Sequence, residues 1–447
     1  MTASITTTMS AANRWLIVLL LMGYAAIGHF NRVGISVAGT EVFIQDKADM
    51  NSSPDEADAK PPAFAKVFTK DEMGWVYSAF LIVYSIGMLP GGWLIDRIGA
   101  AKALTMLGLT MGTFVVLTGM LGWMMSIPNH FWMGLIVIRS LAGLCSAPLH
   151  PGAAHVVSDV TSISGRATAN GLVTAGALLG IAFSYPLFGK LMDDLSWQGA
   201  FVVSGLAMIA YAVIWSVLTA RKLPGPQPAS SQTATDSTIP WPLLRHSDLW
   251  VLTLSFAAYG YFQYLFFYWM GYYFEKVLHV PEIESRQAAF IIALSQGAGM
   301  VIGGLSNDFI CRRLGSARGR RGIVLIGMSL SALFALVAVN LKDASQVALF
   351  MALAMGSQGM CESIFWTTAT EIGGKSRGFA GAFLNTGGNI GGFISPVLTP
   401  IMADRIGWTG AITVACGICA LGGLVWFWIK LPDSDQPPMN AVSSGLD

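Results

Sequence analysis

The run WLIVLLLMGYAAIGHFNRVGISVA, from Trp15 to Ala38, decides the fold. It is apolar over more than the roughly 20 residues a helix needs to cross a bilayer, yet it carries His29, Asn31 and Arg32. An arginine inside such a segment costs about 2.5 to 3.5 kcal/mol at the helix centre on insertion scales. It therefore faces a polar cavity or a partner, and marks a functional site by default. A second arginine, Arg139, lies inside the apolar run from Trp132 to Val157. These two cations are the expected heart of a site for an anion.

Further runs of the same kind fill the chain. Of its 447 residues, 54% are hydrophobic and only 11% charged, against about 25% charged in ordinary globular chains, so the class is an all-α polytopic membrane protein. Apolar runs bounded by charged or Gly/Pro-rich breaks predict twelve transmembrane helices, at about 14–39, 72–95, 102–126, 131–157, 167–192, 199–220, 249–274, 287–310, 322–341, 346–370, 378–402 and 410–429. The first run is too long for a signal peptide and lacks a small-residue cleavage site, so it is expected to stay as the first span. No basic block points to nucleic acid. The five cysteines, Cys145, Cys311, Cys361, Cys416 and Cys419, fall in apolar runs without paired metal spacing. Neither a cofactor nor a metal is called for, and disulfides are not expected.

The chain repeats internally. Gly92-Trp93-Leu94-Ile95-Asp96 matches Gly304-Leu305-Ser306-Asn307-Asp308, and Asp193 to Ala200 matches Asp404 to Ala411, with Arg166 falling on Arg377 in the same shift. A linker rich in Pro, Ser and Thr, residues 221–246, separates an N-terminal six-helix bundle (1–220) from a C-terminal one (247–447). Six spans per half place both halves the same way up, related by a pseudo-two-fold axis along the membrane normal. Lys and Arg are denser on the side of the termini and linker, which the positive-inside rule puts in the cytoplasm.

The stretch Gly92-Trp93-Leu94-Ile95-Asp96-Arg97-Ile98-Gly99 resembles the loop motif of the major facilitator superfamily. Asn31-Arg32, Met73 to Phe80, Pro90 to Trp93, Arg139 with Ala147-Pro148, and Asn385 to Pro396 are together similar to the anion:cation symporter family. That family includes bacterial sugar-acid transporters, sialin and the vesicular glutamate transporters. The resemblance implies a secondary transporter, not an enzyme, moving a small organic anion such as a hexonate or hexuronate by alternating access. It implies Arg32 on the substrate carboxylate, Tyr84 and Asn385 or Asn389 at the substrate, and Arg139 in coupling. Three positions depart from the pattern: Asn31 and Ser146 stand where proton-coupled members carry acids, and Ala177 lies near where they have a glutamine.

Residue chemistry adds candidates independently. Gln263 and Tyr264 in span 7, and Trp366 and Thr367 in span 10, offer the donors, acceptors and flat faces that a polyhydroxylated anion needs. Glu362 is a carboxylate well inside a span, and His29 and His150 titrate near neutral pH, so these three are the candidate carriers of a coupling proton. Asp96 with Arg166, and Asp308 with Arg377, are candidate loop pairs of a conformational switch. The implied setting is a monomer in a bacterial inner membrane, with the bilayer, the anion and H⁺ as partners. The alternatives are a uniporter or exchanger of another organic anion and a non-transporting sensor on a transporter fold. A membrane enzyme would need a catalytic constellation, and no HExxH, GxSxG or Walker glycine loop is present.

Overall fold

The computed structural model of the chain describes residues 9–44, 68–124, 128–161, 166–220, 223, 241–374 and 377–430. The described chain is helical: α1 Ala11–Ala38, α2 Lys70–Ile98, α3 Ala100–Met124, α4 Pro128–Ser146, α5 Leu149–Val160, α6 Arg166–Phe183, α7 Gly189–Thr219, α8 Trp241–Leu244, α9 Ser247–Tyr272, α10 Glu282–Leu314, α11 Ser316–Ala338, α12 Ala344–Gly373 and α13 Arg377–Leu424. One isolated parallel bridge pairs Ile44 with Phe68. The expected linker falls largely outside the described residues.

Local chemistry sets the helix ends. Thr69 and Glu72 form a reciprocal capping box at the start of α2, with Thr69 N–H donating to the Glu72 carboxylate at 2.8 Å and Glu72 N–H to Thr69 Oγ1 at 3.2 Å. Gly99 and Gly315, at φ 86° and 82°, separate α2 from α3 and α10 from α11. The apolar run 131–157, expected as one span, lies within one membrane-length helical stretch, Asn129–Val160, that is broken into two helices. Pro148 has no N–H to continue the ladder, and a turn at Ala147-Pro148 ends α4 before α5 begins at Leu149. A π-helical turn, Gly39–Phe43, extends α1 and buries the Glu41 side chain to 7% exposure.

Eight helical stretches among the described residues are long and apolar enough to cross a membrane. Two exceed what one crossing needs, Thr168–Thr219 with 52 residues and Phe379–Phe427 with 49. Each is interrupted at a matching place. Ser196 (φ 63°, ψ 165°) breaks α7, and Gly407 (φ 76°, ψ 165°) breaks α13. These are equivalent positions in the sequence repeat, so the repeat is also written in the backbone.

The described residues form two compact units. One comprises those within 1–236 together with Phe267–Phe290 and Pro396–Ile401; the other comprises Ser237–Phe266, Ile291–Ser395 and the described residues from Met402 onward. In the first, α1 packs on α6, α2 on α4 and α3 on α7. Small residues allow the approach: a Cβ at Gly176 or Gly180 would fall on the carbonyl oxygens of Met22 or Ala26. The core of this unit gathers Ile17, Leu21, Leu104, Val156 and Trp215, and Trp215 Nε1 donates to Ala101 O at 3.1 Å. In the second unit, Gly391 packs on the Ala257 carbonyl, and buried Trp426 donates from Nε1 to Ser255 Oγ at 3.0 Å. Cys361, Cys416 and Cys419 are buried as free thiols, and Cys145 and Cys311 are half-buried.

Candidate functional site

Arg32 on α1 and Arg139 on α4 are buried to 7% and 3% exposure in the first unit. Both guanidiniums lie on the ring of Phe80 from α2, with Cζ 5.2 and 4.8 Å from its centroid. Tyr84, one turn beyond Phe80, lies 5.3 Å from Arg32 Cζ. A ring quadrupole attracts a cation within about 6 Å of its centroid, more so when water is excluded, so the aromatic pair helps hold two buried positive charges. Arg139 Nη2 donates to Arg32 O at 2.8 Å, and its guanidinium lies near the Tyr268 hydroxyl. Its buried Nε has no hydrogen-bond partner among the described residues. Tyr268 in turn stacks on Tyr77, centroids 4.8 Å apart.

His29 and His150 meet beside this pair, their ring centroids 5.2 Å apart at an interplanar angle of 62°. Asn31 and Ser146, which stand at the missing acids, point elsewhere. Asn31 Nδ2 donates to Ile27 O at 3.1 Å and Ser204 O at 3.3 Å, while Ser146 Oγ donates to Ala142 O at 2.6 Å. Five expected site residues, Arg32, Tyr84, Arg139, His29 and His150, thus converge in one unit.

The second unit gathers a different set. Tyr259 donates to Glu362 Oε2 at 2.8 Å, and Glu362 also accepts from the side chains of Trp366 and Gln263. Gln296 Nε2 donates to the Tyr259 hydroxyl at 3.2 Å, and Gln358 Nε2 to Tyr259 O at 2.8 Å. The side-chain oxygens of Gln296 and Gln358 are buried without a hydrogen-bond partner among the described residues. Tyr264 packs its ring over Gly392, where a Cβ would come within 2.7 Å. Thr367 is exposed and donates to Ser363 O on its own helix at 2.8 Å. Asn389 likewise donates to Asn385 O at 2.9 Å. Glu362, Gln263 and Trp366 are therefore brought together, whereas Thr367 and Asn389 bond along their own helices. The side chains of Asp96, Arg166, Asp308 and Arg377 lie outside the described residues.

Sequence reasoning missed two parts of this chemistry. Phe80 bears no polar group, and only its place one turn before Tyr84 signals a role. The second is Arg286 at the start of α10, which grips Glu41 through Nε and Nη2, both at 2.8 Å, and Asp193 through Nη1 at 2.6 Å and Nη2 at 2.9 Å. It also pairs with Glu282 one turn earlier. A cavity beside it is lined by Ser36, Thr40, Glu41, Tyr185, Tyr268 and Glu275. Burial raises the Glu275 carboxyl above the ordinary range, opposed by the adjoining Lys276 ammonium.

Comparison with known proteins places these features in a family. The probable sulfoacetate transporter of Cupriavidus necator is 27% identical over 356 residues, 76% of this chain and 80% of that protein. The probable galactarate/D-glucarate transporter of Bacillus subtilis is 27% identical over 436 residues, 92% and 90%. The D-galactonate transporter of Escherichia coli O6:H1 is 25% identical over 387 residues, 80% and 86%. In structure, a bacterial homolog of the human lysosomal transporter Spinster, inward-facing and unoccupied, shares the fold with a TM-score of 0.73 at 14% identity, over 94% of this chain and 98% of that one. With its repeated helices and kinks, and a sequence match over residues 3–318 and again over 309–443, the chain belongs to the Major Facilitator Superfamily.

Proposed function

We propose that this multi-pass membrane protein is a secondary transporter of a small organic anion, with sugar acids (hexonates, hexarates or hexuronates) as its substrates. The observation that carries the reading is the buried pair Arg32 and Arg139 on the Phe80 ring. A guanidinium presents a planar fork that matches a carboxylate in bidentate fashion, and Arg139 Nε is a donor still to be satisfied. Relatives named for galactarate, D-glucarate and D-galactonate transport agree with that chemistry. Tyr84, Gln263, Tyr264, Trp366, Thr367, Asn385 and Asn389 complete the substrate contacts in this reading.

The architecture that goes with it is twelve spans in two six-helix halves, 1–220 and 247–447, joined by a cytoplasmic linker. The interruptions at Ser196 and Gly407, and the helices α2 and α9, support it. Both termini face the cytoplasm of a bacterial inner membrane, the protein acts as a monomer, and Asp96 with Arg166 and Asp308 with Arg377 steady one side of the alternating-access cycle. Transport is coupled to H⁺ through Glu362, with His29 or His150 assisting. Uniport or exchange of the same anions is the second reading, favoured by the absence of acids at Asn31 and Ser146. Uptake of radiolabelled D-glucarate, galactarate and D-galactonate into proteoliposomes, with and without an inward proton gradient, tests both. Uptake of none of them overturns the substrate class; uptake that never exceeds equilibration selects uniport.

A further inference from the structure

We propose that Arg286, clamped on Glu41 and Asp193, is the latch of a gate that shuts one mouth of the first unit over the buried arginine pair. The inference rests on the reading that Arg32 and Arg139 hold the anion, and goes beyond it in naming what bars the way to them. The isolated bridge between Ile44 and Phe68 brings the start of α2 beside the end of α1, and Asp96 lies at the far end of α2. The latch is thus at the opposite end of that helix from the loop pairs, and with the termini cytoplasmic it guards the outer mouth.

The sequence repeat assigns residues 267–290 and 396–401 to the second half, yet they pack in the first unit. The contacts that hold them there are specific. Tyr185 donates from its hydroxyl to Phe267 O at 2.9 Å, Tyr268 stacks on Tyr77, and Trp269 meets Tyr77 edge to face with centroids 5.5 Å apart. Trp269 Nε1 donates to Pro396 O at 3.2 Å, and a Cβ at Gly74 would fall on that same carbonyl. Tyr77, Tyr268 and Trp269 are all buried, so the end of α9 sets an aromatic plug against the first turns of α2. Beyond the plug, Arg286 ties three elements together: its own helix through Glu282, the π-helical turn of α1 through Glu41, and the start of α7 through Asp193. Gly189 makes room for it, since a Cβ there would fall on the Arg286 side chain.

α1 fixes the order of these layers. Arg32 and Glu41 are separated by about 13 Å along its axis, at about 1.5 Å per residue. Ser36 and Thr40 lie between them and line the cavity with Tyr185, Tyr268 and Arg286. Arg139 is near the Tyr268 hydroxyl on the inner side of that cavity. An anion approaching the pair along α1 from Glu41 therefore meets Arg286 first and Tyr268 second. An ionic clamp suits a closure that must be undone. The cost of desolvating two buried charges roughly offsets their attraction, so parting both into water costs little, whereas leaving one unpaired in the closed mouth is strongly unfavourable. The side chains of Asp193 and Glu282 are half-exposed, so water already reaches the outer face of the clamp.

The test reads the mouth directly, on the purified full-length protein. Thr40→Cys puts a thiol between latch and plug, in a background with Cys145→Ser and Cys311→Ser so that the remaining thiols are buried. Its modification by a water-soluble maleimide is then timed. With the latch intact the reaction should be slow. Adding Arg286→Gln, which strands the Glu41 carboxylate in the closed mouth, should speed it by at least about tenfold. Asp193→Asn with Glu282→Gln loosens the clamp from its exposed side and should speed it less, which answers the question if Arg286→Gln does not fold. With D-glucarate, D-galactonate and sulfoacetate as probes, Arg286→Gln should still bind what wild type binds, while uptake into proteoliposomes falls by at least about tenfold, the split expected of a gating residue. Labelling that is as slow with the latch broken as with it intact, or uptake by Arg286→Gln at the wild-type rate, overturns the gate and leaves the transport reading standing. Binding of none of the probes by wild type overturns the transport reading, while the labelling rates still decide whether the mouth is gated.

Discussion

Arg139 donates to the main-chain carbonyl of Arg32 at 2.8 Å, so the second cation is oriented by the backbone of the helix that carries the first. The Arg32 side chain can therefore be changed without removing this anchor. Arg32→Lys keeps the charge but loses the bidentate fork. It should weaken binding of whichever sugar acid the wild type takes up by at least tenfold, in line with about 1.5 to 3 kcal/mol for a hydrogen bond to a charged group. Equilibrium binding measures this, and an affinity within twofold of wild type would remove Arg32 from the site.

Arg286 faces acids of very different burial. The Glu41 side chain is 7% exposed and that of Asp193 51%. Breaking a buried pair from one side costs about 3 to 5 kcal/mol, because a charge is left stranded, whereas exposed pairs contribute about 0 to 1 kcal/mol. Arg286→Ala should lower the thermal unfolding midpoint in detergent far more than Asp193→Asn. Arg286→Met with Glu41→Met should recover most of the loss. Equal effects of Arg286→Ala and Asp193→Asn would show that burial does not set the energetics there.

Ser196 and Gly407 occupy the same backbone region, at φ 63° and 76° with ψ 165° in both. Only glycine adopts that region freely, and a side chain there costs on the order of 1 to 3 kcal/mol. Ser196→Gly should raise the unfolding midpoint by a few degrees, and Gly407→Ser should lower it. A Ser196→Gly protein no more stable than wild type would mean that the serine hydroxyl offsets the strain.

What the sequence discloses follows from contrast. Arg32, Arg139 and Glu362 stand out because an ionisable group in an apolar run is costly, and in the structure they are the centres of the two polar clusters. Phe80 offers no contrast within its run, so its role under both guanidiniums emerges only from the crossing of α1, α2 and α4. Glu41 and Arg286 are hidden for the opposite reason. Charges at the ends of spans are ordinarily solvated, and nothing in a sequence joins residues 245 positions apart. The break at Pro148 was written in the chain, yet apolar continuity from 131 to 157 masked it.

Glu362 is held by three donors, Tyr259, Trp366 and Gln263, and Tyr259 is itself fixed by Gln296. The hydroxyls of a sugar acid are acceptors able to draw those donors away and open the carboxylate to a proton. Proton binding at Glu362 would then follow the arrival of substrate. Glu362→Gln keeps an oxygen to accept from Tyr259 but cannot take a proton. In proteoliposomes with an inward proton gradient, wild type should concentrate D-glucarate or D-galactonate above the outside level, and Glu362→Gln should only equilibrate it. Tyr259→Phe should fall between them, since it removes one donor and leaves Gln296 Nε2 without its acceptor. If Glu362→Gln still concentrates substrate to the wild-type level, the carboxylate is a binding or structural group, and proton coupling resides in the first unit alone.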